Sequence, residues 1–251
     1  MADAERYERW SRRIDLAVAL CGLAFFAPLL AGIAAGVLVG SGFPVFYRGL
    51  RVGRRGTPFR MLKFRTMVRD AERLGTSVTL DADARVTPVG RLLRRWKLDE
   101  LPQLWNVVRG EMALVGPRPD APEIVAGYTE PMRRALDVRP GVTSLASLRL
   151  RNETELLREA RFPDLVYERV IVPAKVDLAL EHARRRSIGF DWRVVAATAG
   201  AWLGLRSPDP AEVEFLADLR RQIADFERAE TPRGAPPPAA AAGRERLGSI
   251  R

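Results

Sequence analysis

The sequence is almost without cysteine and histidine, with one of each, Cys21 and His182, among its 251 residues. A single cysteine excludes a disulfide within the chain and any metal site that needs several thiolates. His182 has no partner motif, so we expect a structural or solvated side chain rather than a ligand or a catalytic base. Any metal ion that this chain binds must therefore be a hard cation held by oxygen ligands.

Several familiar catalytic signatures are missing as well. The chain has no Walker A loop, no GxGxxG, no HExxH, no GxSxG and no paired CxxC, so its chemistry must rest on carboxylates and basic side chains. Acidic residues are the minority, since 31 Asp and Glu oppose 41 Lys and Arg. This surplus favours anionic partners such as phosphorylated substrates or acidic lipid. Because nucleic-acid recognition motifs are absent and the basic residues are scattered, we expect no nucleic-acid partner.

Charged residues are also absent from the apolar run between Leu16 and Val39. A helix over this run is about 36 Å long, enough to cross the hydrocarbon core of a bilayer. Arginines flank it on both sides, and the positive-inside rule places both flanks at the cytoplasmic face. Because Pro28 lies at the middle of the run and bends a helix, we predict a re-entrant membrane helix. The alternative is an ordinary spanning helix that tolerates a proline.

The pattern after this anchor is typical of an α+β domain that is predominantly helical. Aromatic and aliphatic runs at Phe43 to Tyr47 and Phe59 to Phe64 predict a small β-hairpin. Thr87 followed by proline predicts the capped start of a helix. A short strand is predicted from Leu145 to Leu150, and a further helix from Asp191.

The last portion of the chain has a different pattern. Asp209 and Glu212 resemble a capping box at the start of an amphipathic helix over residues 208–228. The apolar stripe of this helix could pack on the body of the protein or on a partner. The proline- and alanine-rich residues 229–251 cannot bury a core, and we expect them to be disordered.

Asp99 and Glu100 are adjacent carboxylates with two possible roles. Taken alone, the pair is typical of a helix cap, because Asp is a favoured N-cap and Glu in a first turn complements the helix dipole. The same position suits a reactive carboxylate, because a helix N-terminus keeps it ionised and also binds phosphate. One carboxylate could attack phosphorus while its neighbour holds Mg²⁺ against a pyrophosphate.

Basic residues near other motifs have similar alternatives. Lys63 and Arg65 alternate with apolar residues along a predicted strand, so both should project from one face, which is either solvated or part of an anion site. Arg118 lies between two prolines, and this stiff backbone suits either a fixed phosphate contact or a plain rigid turn.

Four segments together identify a family resemblance. They are KFRTM at residues 63–67, DELPQL at 99–104, NVVRGEMALVGPR at 106–118 and RPGVT at 139–143. In combination they resemble the bacterial sugar transferases, the monotopic phosphoglycosyl transferases. The resemblance covers roughly residues 12–205 and looks like the small, single-anchor form of the family. It leaves the final helix and the tail unexplained.

The resemblance implies an enzyme that moves a sugar phosphate from a UDP-sugar to polyprenyl (undecaprenyl) phosphate in two steps, with Mg²⁺ as cofactor. Asp99 would attack the sugar-bearing phosphate and release UMP, and Glu100 would ligate Mg²⁺. The basic residues that would contact the nucleotide or the phosphates are Lys63, Arg65, Arg94 and Arg118. This transfer would be the first membrane step of exopolysaccharide, O-antigen or glycoconjugate synthesis in bacteria.

The resemblance also implies a location and a domain order. The chain would sit in the inner-membrane lipid with its catalytic domain at the cytoplasmic face, and Pro28 would be the bend of the anchor. The expected segments are the amphipathic lead and re-entrant helix at 1–42, the catalytic domain at 43–207, the helix at 208–228 and the tail at 229–251. Polysaccharide-assembly proteins or a second copy of the chain are open partners.

Two departures from the family pattern limit these expectations. Ala27 stands before the bend proline, where the family commonly has a serine that could bond the freed backbone groups, so the bend angle stays open. The sequence from Ser144 to Leu148 also differs from the family, and the donor sugar therefore stays open.

Overall fold

The structure, a computed structural model, describes residues 2–71 and 83–230. Within these residues the helices are α1 Ala2–Ser41, α2 Pro88–Arg95, α3 Gln103–Arg109, α4 Pro122–Ala126, α5 Glu130–Arg133, α6 Leu145–Arg149, α7 Glu153–Glu159, α8 Pro163–Val166, α9 Val172–Arg185, α10 Ile188–Trp202 and α11 Pro210–Glu230. The strands are β1 Phe46–Val52, β2 Pro58–Phe64, β3 Ala113–Val115 and β4 Gly141–Thr143. The prediction of a mainly helical chain with a small hairpin is confirmed.

The hairpin consists of β1 and β2, which pair antiparallel from Phe46 opposite Phe64 to Val52 opposite Pro58. The first strand begins three residues later than the aromatic run suggested. Pro44 lies in that run and has no amide hydrogen to give to a strand ladder, which explains the later start. β3 and β4 form a second, parallel pair.

Short polar side chains set the starts of several helices. Thr87 caps α2 as predicted, because its Oγ1 accepts a hydrogen bond from the amide of Gly90 at 3.0 Å. Ser187 caps α10, which therefore begins at Ile188, three residues before the predicted start at Asp191. The predicted strand at Leu145–Leu150 is wrong, because Ser144 caps a helix there.

The apolar run lies in α1, a continuous helix that contains Pro28. Residues Arg6–Ser41 are long and apolar enough to cross a membrane, and the most apolar window has a mean hydropathy of 2.4. Only 11% of that window is buried within the protein. A core helix of a soluble domain would be mostly covered, so this apolar surface is available to lipid.

The helix α1 contacts the rest of the protein on both sides of Pro28. Before the proline, Ala19 is buried against residues of β2 and α3. After it, Ile33 and Val37 pack with residues of β2 and α2. One and the same domain therefore touches both halves of the apolar helix.

Two buried or half-buried arginines hold the ends of these contacts. Arg12 donates to the carbonyl oxygens of Val107 and Val108, at 2.6 and 2.9 Å, at the carboxyl end of α3. Arg65 donates to the carbonyl oxygen of Gly42 at 2.6 Å and to those of Ser41 and Phe43 at the end of α1. A cation at the carboxyl end of a helix satisfies carbonyls that have no partner within the helix.

The C-terminal helix α11 packs on the body of the protein, which settles the alternative left open by its apolar stripe. Leu219, only 1% exposed, and Ile223 lie in the largest core cluster together with Val166 and Ile171. The predicted capping box forms, because Asp209 Oδ1 accepts from the amide of Glu212 at 2.9 Å and Glu212 Oε2 accepts from the amide of Asp209 at 3.3 Å. The helix extends to Glu230, and the rest of the predicted tail, 231–251, lies outside the described residues.

Candidate active site

Three separate parts of the chain form a polar site around Glu100. β2 supplies Lys63, a 3₁₀ turn at Leu98–Glu100 supplies the acidic pair, and the loop after β3 supplies Arg118. Lys97 precedes the turn with a φ of 54°, in the left-handed region. This conformation ends the helical path of α2 and redirects the chain into the turn.

Glu100 binds two cations at the centre of the site. Lys63 Nζ and Arg118 Nη2 both lie 2.8 Å from Glu100 Oε1, and Arg118 Nη1 lies 3.4 Å from Oε2. Burial opposes ionisation, but Arg118 and Lys63 outweigh it and hold the pKa of Glu100 well below its usual value. Glu100 in turn raises the pKa of Arg118, whereas burial lowers the pKa of Lys63. Glu100 is therefore a carboxylate ion at neutral pH.

Asp99 is buried beside this cluster, with 7% of its surface exposed. Of the two roles considered for Asp99, the helix cap is wrong. Asp99 lies inside the 3₁₀ turn, whose first flanking residue is Lys97, and its Oδ1 is buried without a hydrogen-bond partner. Burial raises the pKa of Asp99, and the nearby charge of Lys63 partly offsets this rise. A buried carboxylate that does not cap its own helix suggests a role in binding or chemistry.

Arg94 and Arg65 are placed differently from each other. Arg94 donates from Nε to the hydroxyl of Thr66 at 2.8 Å, and its positive charge acts on Asp99. Arg65, which the strand pattern placed on the same face as Lys63, is not brought to the acidic pair. Its guanidinium donates to the carbonyls at the end of α1, because β2 ends at Phe64 and the alternation of faces ends with it.

The Pro-Arg-Pro loop, residues 117–119, is held by the fourth of the motif segments, residues 139–143. Ala113 pairs with Gly141 and Val115 with Thr143, and the amide of Gly141 donates to the carbonyl of Pro117 at 2.9 Å. At Gly116 an added Cβ would lie 2.3 Å from the carbonyl oxygen of Arg139, so only glycine allows this approach. The backbone that carries Arg118 is therefore held between two chain segments.

An open cleft of about 580 Å³ begins at Arg118. Its polar lining includes Asp120, Tyr128, Lys175 and His182, and apolar residues from β1, α6 and α9 complete the walls. Small-molecule sites commonly combine apolar walls with a few polar side chains in this way. His182 is buried, so the solvated alternative for this side chain is wrong.

The acidic pair has the right donor chemistry for Mg²⁺, although it is too small to enclose an ion. Among the described residues there is no group of three or more His, Cys, Asp or Glu side chains that could hold a metal. Mg²⁺ is commonly held by one or two carboxylates together with substrate phosphates. The ionised carboxylate of Glu100, with the carboxylate of Asp99 beside it, fits such an arrangement.

Several polar residues of the site were not singled out from the sequence. The hydroxyl of Thr66 accepts a hydrogen bond from Arg94. Asn106 links α3 to β2, because its side chain accepts from the amide of Leu62 at 2.9 Å and donates to the carbonyl of Arg60 at 2.9 Å. Gln103 is fully buried close to Asp99 in the sequence. Both amides lie within the motif segments, but only their burial in the fold distinguishes them from ordinary helix residues.

The fold and the site define a membrane-associated protein whose cationic and acidic groups suit phosphorylated ligands. The model of the bacterial sugar transferase family matches residues 6–204. The chain belongs to this family.

Curated relatives include two transferases with different sugars in their names. A UDP-glucose:undecaprenyl-phosphate glucose-1-phosphate transferase of Xanthomonas campestris pv. campestris is 36% identical over 200 residues, which cover 78% of this chain and 38% of that protein. A UDP-N-acetylgalactosamine-undecaprenyl-phosphate N-acetylgalactosaminephosphotransferase of Aeromonas hydrophila is 36% identical over 141 residues, covering 55% and 33%. The chain therefore spans well under half the length of these two relatives.

A third relative is closer in length. The uncharacterized sugar transferase EpsL of Bacillus subtilis (strain 168) is 39% identical over 141 residues, which cover 56% of this chain and 69% of that protein. The region after residue 204, which includes α11, lies beyond the family match.

Proposed function

We propose that this protein transfers a sugar 1-phosphate from a UDP-sugar to undecaprenyl phosphate and releases UMP, as a membrane step of bacterial polysaccharide or glycoconjugate synthesis. The main observation in support is that Asp99 is buried and has a carboxylate oxygen without a hydrogen-bond partner. Its neighbour Glu100 forms salt bridges with Lys63 and Arg118. The names of the relatives support the donor and acceptor classes.

The proposed transfer of the phosphosugar has two steps. In the first, a carboxylate oxygen of Asp99 forms a bond to the sugar-bearing phosphorus, and the bond from that phosphorus to the UMP oxygen breaks. In the second, an oxygen of undecaprenyl phosphate attacks the same phosphorus and releases the Asp99 carboxylate. The product is an undecaprenyl diphosphate sugar. The enzyme is thereby returned to its starting state.

The cations of the site favour the first step. Arg118 and Lys63 stabilise the negative charge that accumulates on the phosphates, and their fixed positions avoid a reorganisation cost during the reaction. Arg94 adds positive charge near Asp99. The charges of Lys63 and Arg94 favour the ionised, attacking form of Asp99 and partly offset the burial that raises its pKa.

We propose that Glu100, with Asp99 beside it, holds Mg²⁺ when the donor is bound. The bound ion would neutralise charge on the pyrophosphate and make UMP a better leaving group. Lys63 and Arg118 hold the Glu100 carboxylate in place for this contact.

UMP release tests this function. The purified full chain in detergent with undecaprenyl phosphate should release UMP from at least one member of a UDP-sugar panel, and EDTA should stop the release until Mg²⁺ is restored. No UMP from any donor, with lipid binding intact, would instead indicate a non-catalytic membrane module.

We also propose that α1 enters the inner membrane from the cytoplasmic face, bends near Pro28 and returns to the same face. Contacts of one domain with Ala19 on one side of the proline and with Val37 on the other support this topology. A spanning helix would carry one end about 30 Å across the hydrocarbon core, away from that domain.

Cysteine labelling tests the topology. In a Cys21→Ala background, Ala4→Cys and Thr57→Cys should react with a membrane-impermeant thiol reagent from the same side of sealed inverted vesicles. Labelling from opposite sides would contradict the re-entrant arrangement. Cys21 must be removed first because it is exposed.

A further inference from the structure

Gln103 is a buried amide with no hydrogen-bond partner. Its side chain is 0% exposed, and neither its Nε2 nor its Oε1 has a partner. Such groups are uncommon in folded proteins, because a buried polar atom without a partner loses its hydration and gains nothing in return. The acceptor Oδ1 of Asp99 is unpaired in the same way.

Asn106, three residues later in the same helix, is a buried amide whose side chain has a structural role. It is also 0% exposed, but its Oδ1 accepts from the amide of Leu62 at 2.9 Å. Its Nδ2 donates to the carbonyl of Arg60 at 2.9 Å and to Glu111 Oε2 at 2.7 Å. The side chain of Asn106 makes all its hydrogen bonds within the fold, whereas the side chain of Gln103 makes none.

The contacts along β2 place Gln103 between Asn106 and the acidic pair. Asn106 binds β2 at residues 60 and 62, and Glu100 binds it at Lys63, so the segment 100–106 runs antiparallel to the strand. Leu101 and Pro102 have right-handed helical dihedrals, so Asp99 and Gln103 lie one helical turn apart. Residues four apart in a helix lie on the same face.

We propose that Gln103 is a positioning residue for Asp99, whose Oδ1 receives the Nε2–H of its amide once the donor is bound. This inference rests on the proposed function. The bond would leave Oδ2 of Asp99 to attack phosphorus. After the attack, Oδ1 is the carbonyl oxygen of the acyl phosphate and can accept the same hydrogen bond, so the contact can persist through both steps. The amide oxygen would accept from Lys63, whose ammonium carries three donors.

Gln103→Met tests the proposal, because methionine has nearly the same length and no amide. The variant should unfold at the same temperature as the wild type or higher, since no bond of the fold is lost. Its kcat for UMP release should fall about 10- to 100-fold with little change in the KM for the UDP-sugar, since a small misplacement of a reacting group is costly. Gln103→Leu should behave in the same way.

Asn106→Leu is the matched control, and it should lower the unfolding temperature because three bonds within the fold are lost. An unchanged kcat in Gln103→Met would overturn the proposal. A loss of activity that appears as a higher KM for the UDP-sugar, with kcat unchanged, would also overturn it, because the amide would then bind the UDP-sugar rather than position Asp99. Marked destabilisation of both Gln103 variants would make it structural, and that too would overturn the inference. If the wild type itself released no UMP, the proposed function would fail, and this inference with it.

Discussion

Asp99→Asn should abolish UMP release while leaving the fold intact. The amide has the shape of the carboxylate but cannot form the bond to phosphorus, so we expect a loss of roughly 10⁴-fold or more in turnover. Burial raises the pKa of Asp99, which shows that the fold disfavours the ionised form. A neutral side chain should therefore not lower the unfolding temperature. Steady-state UMP release and thermal unfolding in detergent measure the two effects.

A suitable control is Asp218→Asn, which changes an exposed carboxylate on α11, outside the region of the family match. It should retain wild-type turnover. Substantial activity in Asp99→Asn, under conditions where deamidation is excluded by mass spectrometry, would show that another residue is the nucleophile.

Arg118→Gln should have the second largest effect. It removes one of the two cations that bind Glu100 and leaves only Lys63 opposite a largely buried carboxylate. We expect kcat/KM to fall about 10²- to 10³-fold, as when a fixed charge that stabilises the transition state is lost. The free energy of unfolding should fall by about 1–3 kcal/mol, because Glu100 loses charge-assisted hydrogen bonds.

Arg206→Gln is the matched control for this variant. Arg206 also binds a buried glutamate, Glu212, at 2.9 Å, but it lies in the connection before α11, far along the chain from the acidic pair. It should cost stability without reducing kcat/KM. Equal activity losses in both variants would mean that Arg118 acts only through the fold.

The sequence motifs contain three of the side chains that the fold brings together, but not the way in which they meet. Lys63, Glu100 and Arg118 lie in three separate motifs, and the structure joins them within 2.8 Å contacts. Motif spacing could not show this, because the joining depends on the pairing of β3 with β4 and on the direction of the turn after Lys97. For the same reason, the burial of Gln103 was invisible in the sequence.

The wrong predictions have local physical causes. Arg65 was placed with Lys63 by strand alternation, but β2 ends one residue before it. The apolar residues after Ser144 suited a strand, yet a serine that bonds the amide of Ser147 at 2.8 Å starts a helix instead. Asp99 had the residue type of a cap, whereas the turn begins at Lys97 in a left-handed conformation that its residue type does not favour.

The helix starts and the C-terminal helix were predictable because their determinants are close in sequence. Thr87 and the pair Asp209 and Glu212 each bond backbone amides three residues away. The partner of the apolar stripe of α11 was not predictable, because Leu219 packs against residues about 50 positions earlier, such as Ile171. The sequence alone could not identify that surface.

The most direct test of Asp99 as the nucleophile is to trap the covalent intermediate. The wild-type chain, incubated with a UDP-sugar that supports turnover and with Mg²⁺ but without undecaprenyl phosphate, should gain the mass of one phosphosugar. Peptide mapping should place this mass on Asp99, and adding undecaprenyl phosphate should remove it. Rapid turnover with no adduct at any time, or an adduct on another residue, would contradict the assignment of Asp99 as the nucleophile.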